Sequence, residues 1–473
     1  MIKKIQFSGH FGDVISLFSG TFIFAVSSVL NNIVLGRNLE KIDFGRFNAV
    51  NSTVSLLSLF VLFGLNITSV RVISKFRKNN PYYISSAINR LKFFYKILLG
   101  IISLIYAIII PLLSKYIFHD YNLILLFYLS LIYLFSLSYS ELLSGFLTGL
   151  GEFNKLRNIN YIKALLTIST MAVTFITKNI LFIYLIFVVV NLVYIYFGNK
   201  WLKTVLNEHF NYSQITLPSK FNNKIFAYSG YIFLGGVVVL PFTYSSNLIL
   251  SSIDGIHVFA VLSIFSTWQG VLTFFPVTYS KIVLPYISGN KIKQSKIEKF
   301  TIATRLNNFS VYFIYLFLML SSTFILSLYG KSYTSYLSVF NLYLGATAIA
   351  FMGNTYGAQV QVRGFKFTIL IGNFIVGLSM LLFTLFLHRQ LGILALCIGM
   401  LMGNFFNFLV SFFTIMIKDN FPLKLHISVI CSFFIMFISI LTNYFWRDYF
   451  LPVSFLFLFL FYFVDRGLRL YIK

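Results

Sequence analysis

The chain has 473 residues, of which 58% are hydrophobic and only 10% charged, with a mean hydropathy of +0.85. Soluble domains carry about 25% charged residues, so a chain this poor in charge cannot build water-facing surfaces, and a string of soluble domains is excluded. Its formal charge of +25, from 37 Lys+Arg against 12 Asp+Glu, would point to nucleic acid on a soluble domain; on a membrane chain the cations report topology.

A spanning helix needs about 20 mostly apolar residues. The first candidate, Val14–Leu35, follows MIKKIQFSGHFGDV; no A-x-A-like cleavage site follows it, so it is expected to be a retained span and not a signal peptide. Next come Phe47–Val70, Phe93–Leu113, Leu123–Gly145, Ala164–Thr177 with its upstream turn, and Ile180–Phe197. A polar stretch with Pro218 follows. The second series is Ile225–Ser251, Val258–Val277, Val311–Tyr329, Leu337–Val360, Thr368–Leu387 and Leu391–Ile417. Ile427–Phe445 and the shorter Phe450–Val464 complete fourteen candidates. The fold expected is an all-α polytopic membrane protein.

With the N-terminus inside, the connections alternate strongly in charge. About 29 of the cations, Lys163 among them, fall on inner connections and about 8 on outer ones, the bias expected of cytoplasmic loops. Both termini are therefore expected on the cytoplasmic side. The stretch Lys291–Arg305 reads as a basic surface helix lying against anionic headgroups. No nucleic-acid partner is needed to explain the charge.

The chain also repeats itself weakly. Ser144-Gly-Phe-Leu-Thr-Gly-Leu-Gly-Glu-Phe153 aligns with Tyr356-Gly-Ala-Gln-Val-Gln-Val-Arg-Gly-Phe365, placing Gly145 over Gly357 and Phe153 over Phe365. This predicts two six-helix lobes in parallel pseudo-repeat, at 1–200 and 225–417. A cytoplasmic linker at 201–224 joins them, and two additional helices and a tail follow at 418–473. Small-xxx-small pairs at Gly145/Gly149, Gly353/Gly357 and Gly399/Gly403 predict close helix contacts. Pro241 and Pro276 predict kinks. Cys397 and Cys431 lie in apolar runs without disulfide or zinc spacing.

Ionisable groups are costly within hydrocarbon, so each is a candidate site. Glu141 is the acid that no shift of span boundaries removes from the membrane. It must be protonated, paired or water-facing, which suits coupling or gating; a structural hydrogen bond is the other reading. Arg37, Arg46 and Arg71 flank the first two spans, either as boundary markers or as cavity cations. Amides recur inside the spans, with Asn66, Asn247 and Gln269 as cavity candidates and interhelical bonding as the other role. No nucleotide-binding or hydrolytic motif is present, so no catalytic residue, metal or bound cofactor is expected. Transport would draw on a gradient, of H+ or Na+, or on downhill removal of the substrate.

Several stretches resemble one family. Arg37-Asn-Leu-Glu-Lys-Ile-Asp-Phe-Gly45 resembles the R-x-L-G-P-x-[ED]-[FY]-G signature of Wzx-type polysaccharide repeat-unit flippases, with Glu40-Lys41 where Gly-Pro is usual. Phe63-Gly-Leu-Asn-Ile-Thr-Ser-Val-Arg71, Leu143–Phe153, Trp268–Pro276 and Leu328-Tyr-Gly330 are similar to later elements of that family. The superfamily also holds the MATE exporters and the peptidoglycan-lipid flippases. The resemblance implies a two-lobe, alternating-access flippase, not an enzyme, in the bacterial cytoplasmic (inner) membrane. Its substrate would be an undecaprenyl-pyrophosphate-linked oligosaccharide such as an O-antigen unit of lipopolysaccharide. Arg37 and Arg71, and with them Arg46, would contact phosphate. Membrane lipids, a polysaccharide polymerase and chain-length proteins would be its partners. A MATE-like cation-coupled exporter is the nearest alternative. A membrane polysaccharide polymerase or ligase is a further one, disfavoured because the outer connections are short.

Overall fold

The computed structural model describes residues 2–209, 217, 221–288, 293–363 and 365–419, together with Phe434, Phe437, Ile438 and Ile440. The described residues form sixteen α-helices and no strand. These are α1 (Ile2–Asn38), α2 (Lys41–Leu62), α3 (Leu65–Asn79), α4 (Ile84–Leu112), α5 (Leu123–Leu150), α6 (Phe153–Thr177), α7 (Ile180–His209) and α8 (Phe221–Val237). Then follow α9 (Val239–Asp254), α10 (His257–Ser288), α11 (Lys293–Leu320), α12 (Ser322–Tyr329), α13 (Leu337–Met352), α14 (Asn354–Arg363), α15 (Lys366–Leu391) and α16 (Ile393–Asp419). Backbone groups in hydrocarbon must be satisfied within their own segment, which is why an apolar chain of this length resolves into helices.

Ten of the described stretches are long and apolar enough to cross a bilayer. Two bent pairs, α2–α3 at 40° and α11–α12 at 59°, raise the number to twelve. The chain is thus an all-α, multi-pass membrane protein. The candidates Ile427–Phe445 and Phe450–Val464 lie outside the described residues, apart from the four positions named above.

The chain forms two compact units. The first comprises Met1–Leu240 and Gly255–Ala260, the second Pro241–Asp254 and Val261–Lys473. In the first, α5 is the hub: α2, α3, α4 and α7 pack on it, and α1 pairs with α6. Half of the most apolar window of α5 is buried, against 17% for the stretch containing α4, which turns Ile101, Leu104 and Ile108 outward. In the second unit α13 is the hub, packed by α11 and α16, while α15 pairs with α16. The hub is the fourth span of each series.

Phe153 and Phe365, aligned in the sequence repeat, both lie at helix starts, one position out of step. Phe153 opens α6 after Glu152, and Phe365 precedes α15. The turn before α6 is a Schellman motif. Gly151 adopts φ +76°, its N–H donates to Thr148, and the Glu152 N–H donates to the Leu147 carbonyl.

The small-residue pairs divide by position. A Cβ on Gly145 would meet Ser69 and lie 2.6 Å from the Asn66 carbonyl oxygen, and one on Gly149 would lie 2.9 Å from Ile73 Cβ, so α3 and α5 touch through their backbones. Gly399 and Gly403 are equally tight against α15, at 2.8 Å from Ser379 O and Val376 Cα. Gly357 has nothing within 4 Å. Pro241 falls three residues after the single non-helical residue, Val238, that separates α8 from α9, whereas α10 runs through Pro276 unbroken.

The sharpest feature of the first unit is the break in its second span. Phe63 and Gly64 both take left-handed conformations, φ +43° and +72°, and α3 restarts at Leu65. At Gly64 a side chain would also lie 2.7 Å from the Ser229 carbonyl oxygen. Gly64→Ala should therefore lower stability by roughly 1–3 kcal/mol, read as a fall in the thermal unfolding midpoint of the detergent-purified protein.

Candidate functional site

The α5–α6 hairpin sets the depth of the charges on it. Glu141 lies nine residues before the end of α5 at Leu150, and Lys163 ten residues after the start of α6 at Phe153. At 1.5 Å per residue both sit roughly 14–15 Å along their helices from the turn, well inside the candidate spans Leu123–Leu150 and Phe153–Thr177. They face one another closely enough to interact as charges, without a direct ion pair.

Around them the first unit supplies a polar lining. Asn66, in the first turn of α3 just past the helix break, donates from Nδ2 to Glu141 Oε2 at 3.5 Å. The Glu141 side chain is exposed within this otherwise packed region, while Leu142 and Leu143 beside it are fully buried. Tyr133 on α5 and Tyr194 on α7 lie within its electrostatic reach. Two residues before Glu141 on α5, Tyr139 donates to Asn199 Oδ1 at 2.8 Å. The Lys163 ammonium lies 4.8 Å from the centre of the Phe24 ring and 5.2 Å from that of Tyr194. Such aromatic faces compensate a cation without accepting a conventional hydrogen bond.

The arginines occupy different surroundings. Arg37 projects, exposed, from the last turn of α1. Arg46 is held by two carboxylates at the end of the unit remote from the α5–α6 turn: Nη1 donates to Asp43 at 2.8 Å and Nε to Asp120 at 2.6 Å. Beside it lies a cavity of about 430 Å³ lined also by Tyr121, Asn122, Tyr128, Asn179 and Ile180. Arg71 stacks over the Tyr228 ring at 4.1 Å, five residues beyond Asn66 on α3. The structure thus brings Glu141 and Asn66 together and sets the three arginines in separate places.

The other two candidate amides belong to the second unit. Gln269 accepts the Tyr343 hydroxyl at 2.6 Å, and Asn247 Oδ1 is buried with no hydrogen-bond partner among the described residues. Other span amides bind helices together. Asn31 accepts from Thr170 at 2.7 Å, and Asn404 donates to the Ala346 carbonyl at 3.1 Å.

Lys163 is the residue that charge counting passes over. Grouped by loop, it joins the inner-connection cations; counted along the helix, it is three turns inside α6. The signal that locates it is the Gly151-Glu152 turn, which starts α6 earlier than its apolar run suggests.

The sequence profile of the family described as polysaccharide biosynthesis protein matches residues 12–291. None of the curated proteins matches the chain by sequence. Among solved structures, the lipid II flippase MurJ in an inward closed conformation is 16% identical, covers 97% of this chain and 100% of its own, and superposes with a TM-score of 0.65. An inward-facing multidrug resistance MATE family transporter of the MOP superfamily is also 16% identical, covering 83% of this chain and 93% of its own, with a TM-score of 0.66. A third similar structure is a MOP superfamily transporter from Pyrococcus furiosus, 16% identical, covering 85% of this chain and 93% of its own, with a TM-score of 0.62. At these identities the likeness is one of fold.

Proposed function

The chain belongs to the polysaccharide biosynthesis protein family, and from that premise we propose that it is a flippase for lipid-linked oligosaccharides. The substrate class is an oligosaccharide repeat unit on undecaprenyl pyrophosphate, such as an O-antigen unit. It moves from the inner to the outer leaflet of a bacterial cytoplasmic membrane, with both termini of the protein cytoplasmic.

The observation that carries this reading is the placement of Glu141, Lys163 and Asn66 together within membrane-spanning helices of one unit, beside a broken helix. Discontinuous spans in transporters place helix ends and polar groups at the membrane midplane, where a charged substrate must cross. Amphiphiles with an anionic headgroup need such an interior; a purely structural helix bundle does not tolerate its cost. Arg37 and Arg71 would meet the pyrophosphate as it enters, and Arg46 would do so once released from Asp43 and Asp120. Asn247 and Gln269 suit sugar hydroxyls. Glu141 is the coupling residue, with H+ or Na+ as the driving ion.

A cation-coupled exporter of small molecules is the second reading, supported by the shared MATE fold. One experiment separates the two. Deletion of the gene should leave lipid-linked oligosaccharide accumulating on the inner leaflet, reversed by a plasmid copy. A deletion strain with normal surface glycan and a new sensitivity to cationic drugs would favour the exporter.

A further inference from the structure

Glu141 and Lys163 are an incompletely satisfied couple. Among the described residues the carboxylate has a single long hydrogen bond, from Asn66 at 3.5 Å, and it is exposed. A carboxylate has room for about four such bonds. Lys163 has two ring faces beside its ammonium and no hydrogen-bond acceptor among the described residues. An ammonium carries three donors, and none of them is filled by aromatic carbon. The opposite charges remain within Coulombic range but out of contact. A closed ion pair would fill both sets of valences; here neither set is filled by a direct partner of opposite charge among the described residues.

We propose that Lys163 is an anion-binding residue for the phosphate of a polyprenyl-phosphate headgroup, and that Glu141 is its exchangeable counter-ion. The inference rests on the flippase reading and adds to it the residue that holds the headgroup and the way binding is tied to a proton. A phosphate oxygen takes the Lys163 ammonium by charge-assisted hydrogen bonds. Glu141 then loses its compensating charge beside a new anion. One hydrated proton supplied by solvent bonds to a carboxylate oxygen of the exposed Glu141, leaving its carrier water behind, and no other bond changes. The groups facing Glu141 are Asn66 on α3, Lys163 on α6, Tyr133 on its own helix and Tyr194 on α7; Lys163 is the cation among them. Release of the headgroup reverses the exchange, so each passage carries one proton on and off the same carboxylate.

The test uses the full chain purified in detergent and titrated calorimetrically with farnesyl pyrophosphate in two buffers of different ionisation heat. Protons bound per ligand are then read directly. Lys163→Gln should raise Kd about tenfold or more, and Lys163→Arg should stay within about threefold, because the guanidinium also binds phosphate. Glu141→Gln should still bind, but with up to one proton fewer taken up than the unaltered protein. Comparing the two proteins cancels protons taken by the probe's own phosphate. Glu141→Gln/Lys163→Gln, which removes both charges together, reports whether a loss of binding comes from misfolding: it should fold and bind as weakly as Lys163→Gln. Unchanged affinity in Lys163→Gln, or unchanged proton uptake in Glu141→Gln, overturns the proposal while leaving the flippase reading intact. Equal affinity for inorganic pyrophosphate overturns the assignment to a lipid headgroup. Absence of saturable binding by the unaltered protein overturns the flippase reading, and this proposal with it.

Discussion

Lys163→Glu should sharply reduce the amount of folded protein in the membrane, because it sets two carboxylates against each other within neighbouring membrane-spanning helices. Positions 141 and 163 lie on adjacent antiparallel helices joined by the Gly151-Glu152 turn, and their charges sense one another. A single uncompensated charge at the centre of a spanning helix costs roughly 2.5–3.5 kcal/mol on insertion scales, and here the attraction to Lys163 is also replaced by repulsion. Membrane levels should fall severalfold, since changes of this size shift abundance in cells. The informative comparison is the exchange Glu141→Lys/Lys163→Glu, which restores opposite signs. It should recover at least half of the lost level on a quantitative blot of membranes. An exchange no better than Lys163→Glu alone would show that the two positions do not compensate each other.

Gly145→Leu is the second large effect. The glycine sits where α5 meets α3, and a side chain there would meet Ser69 and the Asn66 carbonyl oxygen, the latter 2.6 Å from its first carbon. Relief requires moving backbone, so the cost should lie at the upper end for overpacking, roughly 3 kcal/mol. The displaced helix carries Asn66, so the hydrogen bond to Glu141 goes with it. The expected result is a lower unfolding midpoint together with loss of surface glycan in a complementation assay. Gly357→Leu, at the aligned position of the repeat, is the control. With nothing within 4 Å of its Cβ, it should change stability by no more than about 0.5 kcal/mol.

That pair of glycines marks the limit of what periodicity and spacing can say. Gly145 and Gly357 occupy matched places and belong to similar small-xxx-small pairs, yet one touches a neighbouring backbone and the other open space. Spacing specifies which residues share a helix face; which helix comes to that face depends on contacts distant in sequence. The helix break at Phe63-Gly64 is legible in part, since Gly64 permits left-handed backbone, but Phe63 adopting the same conformation is a local strain imposed by the packed unit.

Glu141 was legible because an acid in an apolar run has few explanations. Lys163 was not, because basic residues within reach of a turn are ordinarily boundary markers, and only the start of α6 at Phe153 places it deep. Arg46 stood out equally in the sequence, but its two carboxylate partners differ in origin. Asp43 is a helical turn away, whereas Asp120 lies 74 residues on.

The sequence alone determined the membrane environment, the helical class and the first twelve candidate spans, because these follow from hydropathy and backbone satisfaction in lipid. Tertiary structure alone decided which of the scarce charges meet. Coulomb interaction depends on distance in space. Only the packing of α3, α5, α6 and α7 sets Asn66, Glu141, Lys163 and Tyr194 around one point in the membrane.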